Sequence, residues 1–66
     1  MIKRRKQNLG KRVFITRGHY RGRYGVVKGF RGDRLYGKKL IPYVNVYIES
    51  VGYIDTIPGS NLERTK

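Results

Sequence analysis

The 66-residue chain has no cysteine, no tryptophan, one histidine and only four acidic residues. Without cysteine there are no disulfides, thiolate zinc sites or cysteine nucleophiles. His19 alone cannot build a multi-histidine centre. Asp33, Glu49, Asp55 and Glu63 are too few and too scattered to cage a hard cation, so no metal and no cofactor is expected. Ser50, Ser60 and the threonines lack a base beside them, which argues against an enzyme. No apolar run approaches the ~20 residues needed to cross a bilayer. The basic start MIKRRK is not followed by an apolar stretch, so it does not read as a secretory signal. These absences point to a soluble intracellular protein, nuclear or cytoplasmic, with no membrane partner. No segment carries a helical period of useful length. A chain this short forms one domain and buries only about 60% of the surface exposed on unfolding.

Positive charge is abundant. Sixteen Lys and Arg against four acids give a net charge of +12. Residues 1–39 hold fourteen of the cations with Asp33 as the only acid, a balance of +13. Residues 40–66 hold Arg64 and Lys66 against Glu49, Asp55 and Glu63, a balance of −1. Such a cationic front repels itself unless a polyanion neutralises it. Nucleic acid is the leading partner, RNA first with DNA open, and an anionic membrane surface is the competitor. The membrane reading lacks the amphipathic helix it needs.

The apolar pattern has period two. Residues 1–10 show no period and read as a flexible basic arm, with Lys3, Arg4, Arg5 and Lys6 as candidate phosphate contacts. Lys11 to Thr16 reads as a first strand with Val13 and Ile15 on one face. Tyr24 to Phe30 reads as a second, with Gly29 marking a bulge. The polar segment Arg31–Lys39 reads as an exposed loop whose Arg31, Arg34, Tyr36, Lys38 and Lys39 are further contact candidates. Leu40 to Glu49 is the clearest strand, Val44, Val46 and Ile48 alternating with Tyr43, Asn45 and Tyr47. Tyr53 to Ile57 makes a fourth, and Leu62 begins a closing segment after the Pro58–Asn61 turn. Several short strands with close turn signals predict a small all-β barrel or sandwich. Its expected core is Val13, Ile15, Val27, Val44, Val46, Ile48, Ile54 and Leu62.

Between the first two strands lies the run Arg17-Gly18-His19-Tyr20-Arg21-Gly22-Arg23-Tyr24-Gly25. Its glycine spacing fits neither a P-loop, for want of a following Lys-Ser/Thr, nor a dinucleotide site, for want of a helix. Gly18, Gly22 and Gly25 are read as the structural turn. Arg17, His19, Tyr20, Arg21 and Arg23 are read as contacts. Arginine forks match phosphate oxygens and stack on bases, and tyrosine rings offer sequence-tolerant stacking.

The pattern Val13-x-Ile15-x-x-Gly18-x-Tyr20-Arg21-Gly22-x-x-Gly25-x-Val27 resembles the KOW motif. That motif occurs in transcription elongation factors related to NusG and in several large-subunit ribosomal proteins. The tail Ile57-Pro58-Gly59-Ser60-Asn61-Leu62-Glu63 is similar to the closing turn and last strand of SH3-like barrels, which KOW domains adopt. The resemblance implies a five-stranded SH3-like barrel over residues 11–66 and a non-catalytic RNA-binding module. It also implies partners in a larger complex such as RNA polymerase or the ribosome. Within it Gly22 is a turn residue, and Arg21 with its loop neighbours carries the contacts. Two alternatives stay open. One is a ribosomal protein bound to rRNA, which a small, basic, Met-initiated chain suits. The other is a Tudor-like peptide module built on a cage of Tyr43, Tyr47 and Tyr53. The turn, the Arg31–Lys39 loop and the arm are expected to share one cationic face.

Overall fold

The computed structural model describes residues 1–65. Five strands form one antiparallel sheet: β1 (Arg12–Ile15), β2 (Tyr24–Tyr36), β3 (Lys39–Ile48), β4 (Tyr53–Pro58) and β5 (Leu62–Arg64). Their order is β4-β3-β2-β1-β5, so β1 lies between the long hairpin and β5. No β4–β5 ladder is present among the described residues; a 3-10 turn at Gly59–Asn61 connects the two edges.

The period-two pattern sets which face is buried. Val13, Ile15, Val27, Val44, Val46, Ile48, Ile57 and Leu62 turn inward with Ile2, and Tyr20 and Phe30 pack against this cluster. Ile54 does not belong to it. It pairs with Tyr47 on the outer face and is 55% exposed, whereas Ile57 pairs with Val44 on the inner face. The two isoleucines are three residues apart, so a strand cannot bury both.

The first ten residues are not a flexible arm. Ile2 is only 1% exposed, and its N–H donates to Gly59 O at 2.9 Å. Lys6–Asn8 form a 3-10 turn in which the buried Asn8 donates Nδ2 to Lys3 O at 2.7 Å. Gly10 N–H continues onto Val27 O at 2.8 Å. One isoleucine in the core thus anchors a segment whose other residues are mostly polar. Gly59 is needed opposite it, because a Cβ there would collide with the Ile2 carbonyl.

Arg31–Lys39 is not a loop either. β2 and β3 stay paired to their ends, through Asp33↔Pro42, Arg34↔Ile41, Leu35↔Leu40 and Tyr36↔Lys39. Gly37 takes φ +61° at the tip while no described non-glycine residue has positive φ, the pattern of a two-residue type II′ turn. Two bulges interrupt the ladder, between Val27 and Gly29 and between Phe30 and Gly32. Each adds one residue to β2 and shifts its alternation, so the inward positions become Gly25, Val27, Phe30, Asp33 and Leu35.

Gly25 is not part of the turn. It lies in β2 opposite Val13 and Ile48. A Cβ there would strike the Val46 side chain and come within 2.6 Å of Tyr47 O, so glycine is what lets β2 lie this close to β3. Gly18 and Gly22, at φ +89° and +86°, do make the turn.

Candidate functional site

β2 is thirteen residues long, about 40 Å if fully extended, in a molecule 33 Å along its longest axis. The strand therefore bends, at its two bulges, and its two ends form a turn pole and a hairpin pole. The glycine-rich turn enters β2 at one pole, and the hairpin tip leaves it at the other. The candidate cations of the turn and of the hairpin thus sit at opposite ends of one strand.

At the turn pole, backbone bonds hold the chain tightly: Gly22 N–H to Ile15 O (2.8 Å), Ile15 N–H to Arg23 O (2.9 Å) and Arg23 N–H to Tyr20 O (3.1 Å). Arg17, His19, Arg21 and Arg23 are left exposed. Tyr20 instead folds inward. Its hydroxyl donates to Asp55 Oδ2 at 2.7 Å and lies 2.9 Å from the Tyr53 hydroxyl, while His19 packs edge-on against its ring. The bonds to Tyr53 and then Asp55 push the Tyr20 phenol above its ordinary range, and the Tyr20 bond holds the Asp55 carboxyl below its own. Tyr20 is thus an internal tie between the turn and β4 rather than a free contact.

Beside this turn an open groove of about 600 Å³ is lined by Arg21, Gly22, Arg23, Tyr24, Glu49 and Ser50. Arg23 Nη1 donates to Ser50 Oγ at 2.6 Å, fixing one guanidinium at its wall. Arg12 lies 4.1 Å above the Tyr24 ring centre and donates twice to Glu49, both bonds at 2.9 Å. This fork lowers the Glu49 pKa and raises that of Arg12. Sequence reasoning missed Tyr24, Glu49 and Ser50 as members of this groove, and Arg12 as the group that holds two of them. The one signal for Arg12 is its place as the outward neighbour of Val13 on β1.

The hairpin pole carries Arg31, Arg34, Tyr36, Lys38 and Lys39, all exposed. On the outward face of the hairpin the Tyr36 and Tyr43 hydroxyls meet at 2.7 Å. The Tyr36 bond and then nearby Arg34 favour ionisation of Tyr43. A shallow groove of about 290 Å³ there is lined by Arg31, Gly32, Asp33, Arg34 and Tyr43. The N-terminal segment reaches this pole at Arg4, whose Nη1 pairs with Asp33 Oδ2 at 3.2 Å. Lys3 and Arg5 line a small dent with Gln7, Asn8 and Arg64, and Lys6 is exposed in the 3-10 turn.

Two features concern the partner. Asp33, Glu49 and Asp55 are each bonded within the fold, and among the described residues only Arg4 and Arg12 form ion pairs. Most of the positive charge therefore faces solvent. The expected tyrosine cage does not form. Tyr43 and Tyr47 lie on the outward face of β3, while Tyr53 pairs with Ile48 on the other face and joins Tyr20. Asn45 between them accepts from Thr56 Oγ1 at 3.0 Å and is a cross-strand tie. Among the described residues no three His, Asp or Glu side chains come together, and no helix is long and apolar enough to cross a membrane.

No protein-family model, curated protein or solved structure matches the chain.

Proposed function

We propose that this chain is a non-catalytic nucleic-acid-binding module, a KOW-type SH3-like barrel that binds RNA mainly through its phosphates within a transcription or translation assembly. The observation that carries the reading is the exposed cationic surface. Fourteen cations lie in residues 1–39, and three of the four acids are engaged inside the fold. The strand order β4-β3-β2-β1-β5, with a 3-10 turn between the edge strands, supports the barrel reading. The motif Val13 to Val27 supports the family. Arg21 and Arg23 at one pole and Arg31, Arg34, Lys38 and Lys39 at the other are its phosphate contacts. Tyr36 and Tyr43 offer rings beside Arg34.

A salt titration of binding to single-stranded RNA tests this. With about six phosphates neutralised, the log–log slope is near −4; a flat dependence would overturn the electrostatic mechanism. Repeating the titration with duplex DNA decides which nucleic acid is preferred. Co-sedimentation with ribosomal subunits, against co-purification with RNA polymerase, separates a ribosomal protein from an elongation-factor module.

A further inference from the structure

The phosphate contacts proposed above leave one conspicuous surface unexplained. Leu35 and Leu40, cross-strand partners near the hairpin tip, are 65% and 61% exposed. They occupy the inward face of the ladder, in register with Val44 and Val46, but the hairpin has by then run past the core. The N-terminal segment reaches that face at Pro42 and the near side of Leu40, where Met1, Lys3, Arg4 and Asp33 complete an open pocket of about 270 Å³, and it leaves both leucines mostly exposed. Hairpin tips in water usually end in polar residues, and two paired leucines at one are an unpartnered apolar surface.

Charge complementarity says what covers it. Lys38 lies at the tip, Arg34 and Lys39 sit on the reverse face, and Lys3 and Arg4 flank the pocket. The single carboxylate nearby, Asp33, is already held by Arg4. An apolar pair on one face of a thin hairpin, with cations beside it and on its reverse, suits a polyanion that also presents apolar faces, which is what unstacked bases between phosphates are. A hydrophobic protein surface would have to leave these charges uncompensated.

Resting on the RNA-binding reading, we infer that the Leu35–Leu40 pair is a base-face contact. The hairpin enters a looped or junction region of a nucleic acid, its leucines packing on an unpaired base while Arg34, Lys38 and Lys39 hold the flanking phosphates. Apolar side chains used this way read exposed base faces rather than sequence, so the module prefers unpaired nucleotides over a regular duplex.

The test compares a stem–loop RNA carrying 2-aminopurine in its loop with a blunt duplex of equal charge, using the whole chain. The wild type binds the stem–loop about tenfold more tightly and changes the fluorescence of the loop base. Leu35→Ser with Leu40→Ser removes both effects but leaves duplex affinity and the salt slope unchanged, with an unchanged circular-dichroism spectrum. Leu35→Met with Leu40→Met restores them. If the serine double variant retains the loop preference, or the wild type binds both RNAs equally, the contact does not exist and the pair faces a protein instead. If the wild type binds neither RNA in a salt-dependent way, the RNA-binding reading itself falls.

Discussion

The β2–β3 ladder is one continuous hairpin that leads two lives. Its lower half, Gly25–Phe30 against Val44–Ile48, is clamped over Val13, Ile15 and Leu62. Its upper half, Gly32–Tyr36 against Lys39–Tyr43, has backbone pairing and the Arg4–Asp33 ion pair but little core beneath it. In the lower half side-chain size is dictated by packing. In the upper half it is not, and that is where charge, tyrosine and exposed leucine accumulate. On the proposed reading, stability and recognition are divided along a single pair of strands.

Substitution separates the halves most sharply. Ile15→Ala in the buried cluster is expected to destabilise the fold by about 2–5 kcal/mol, enough to unfold much of a domain this small. Leu35→Ser is expected to stay within about 0.5 kcal/mol. Urea melts of both variants check this, and equal losses would erase the division. Next, Gly25→Ala forces a methyl against Val46 and Tyr47 O and is expected to lower stability by about 1–3 kcal/mol, whereas Gly29→Ala, with 3.8 Å to its nearest neighbour, should be tolerated.

A third experiment compares the poles in binding. Arg21→Glu with Arg23→Glu, and separately Lys38→Glu with Lys39→Glu, should each weaken binding to single-stranded RNA and reduce the salt slope by about 0.7 for every phosphate that is no longer neutralised. If only one pair matters, that pole alone holds the nucleic acid. The smallest effect is in pH dependence. The Asp55 carboxyl is depressed by Tyr20, so its stabilising contribution is present above about pH 4 and lost as pH falls through the lower folded value. The Tyr20 phenol is raised by Tyr53 and Asp55, so its contribution is full below about pH 10 and lost as pH rises toward the folded value. Tyr20→Phe should flatten both limbs of the stability–pH curve together, since one hydroxyl serves both. Melting temperature against pH reads this directly.

Strand alternation makes β1, the start of β2, most of β3 and the inward valines legible in the sequence. What stays hidden there does so for physical reasons. The Arg31–Lys39 segment resembles a loop because two bulges break its alternation and its outward residues are charged. Backbone pairing, which leaves no mark in composition, makes it a hairpin. Ile54 and Ile57 look equally suited to the core, and only the register Val44↔Ile57 decides between them. Ile2 has no periodic neighbours to announce it, so a segment anchored by one side chain reads as an unstructured arm. Among the candidate contacts, the exposed arginines and lysines are identifiable from charge alone. The inward turn of Tyr20 and the Arg12–Glu49 fork depend on partners 35 and 37 residues away in sequence.

The clasp between Ile2 and Gly59 makes the sheet's closure a long-range event. β1 is flanked by β2 on one side and by β5 on the other, and Ile2 meets its backbone partner only at residue 59. The β2–β3 ladder is local in sequence and closes a two-residue turn, whereas the Ile2–Gly59 bond closes a loop of more than fifty residues. The second side of β1 and the seat for Ile2 both come from residues 59–64. The last strand's approach is what fastens the first residues.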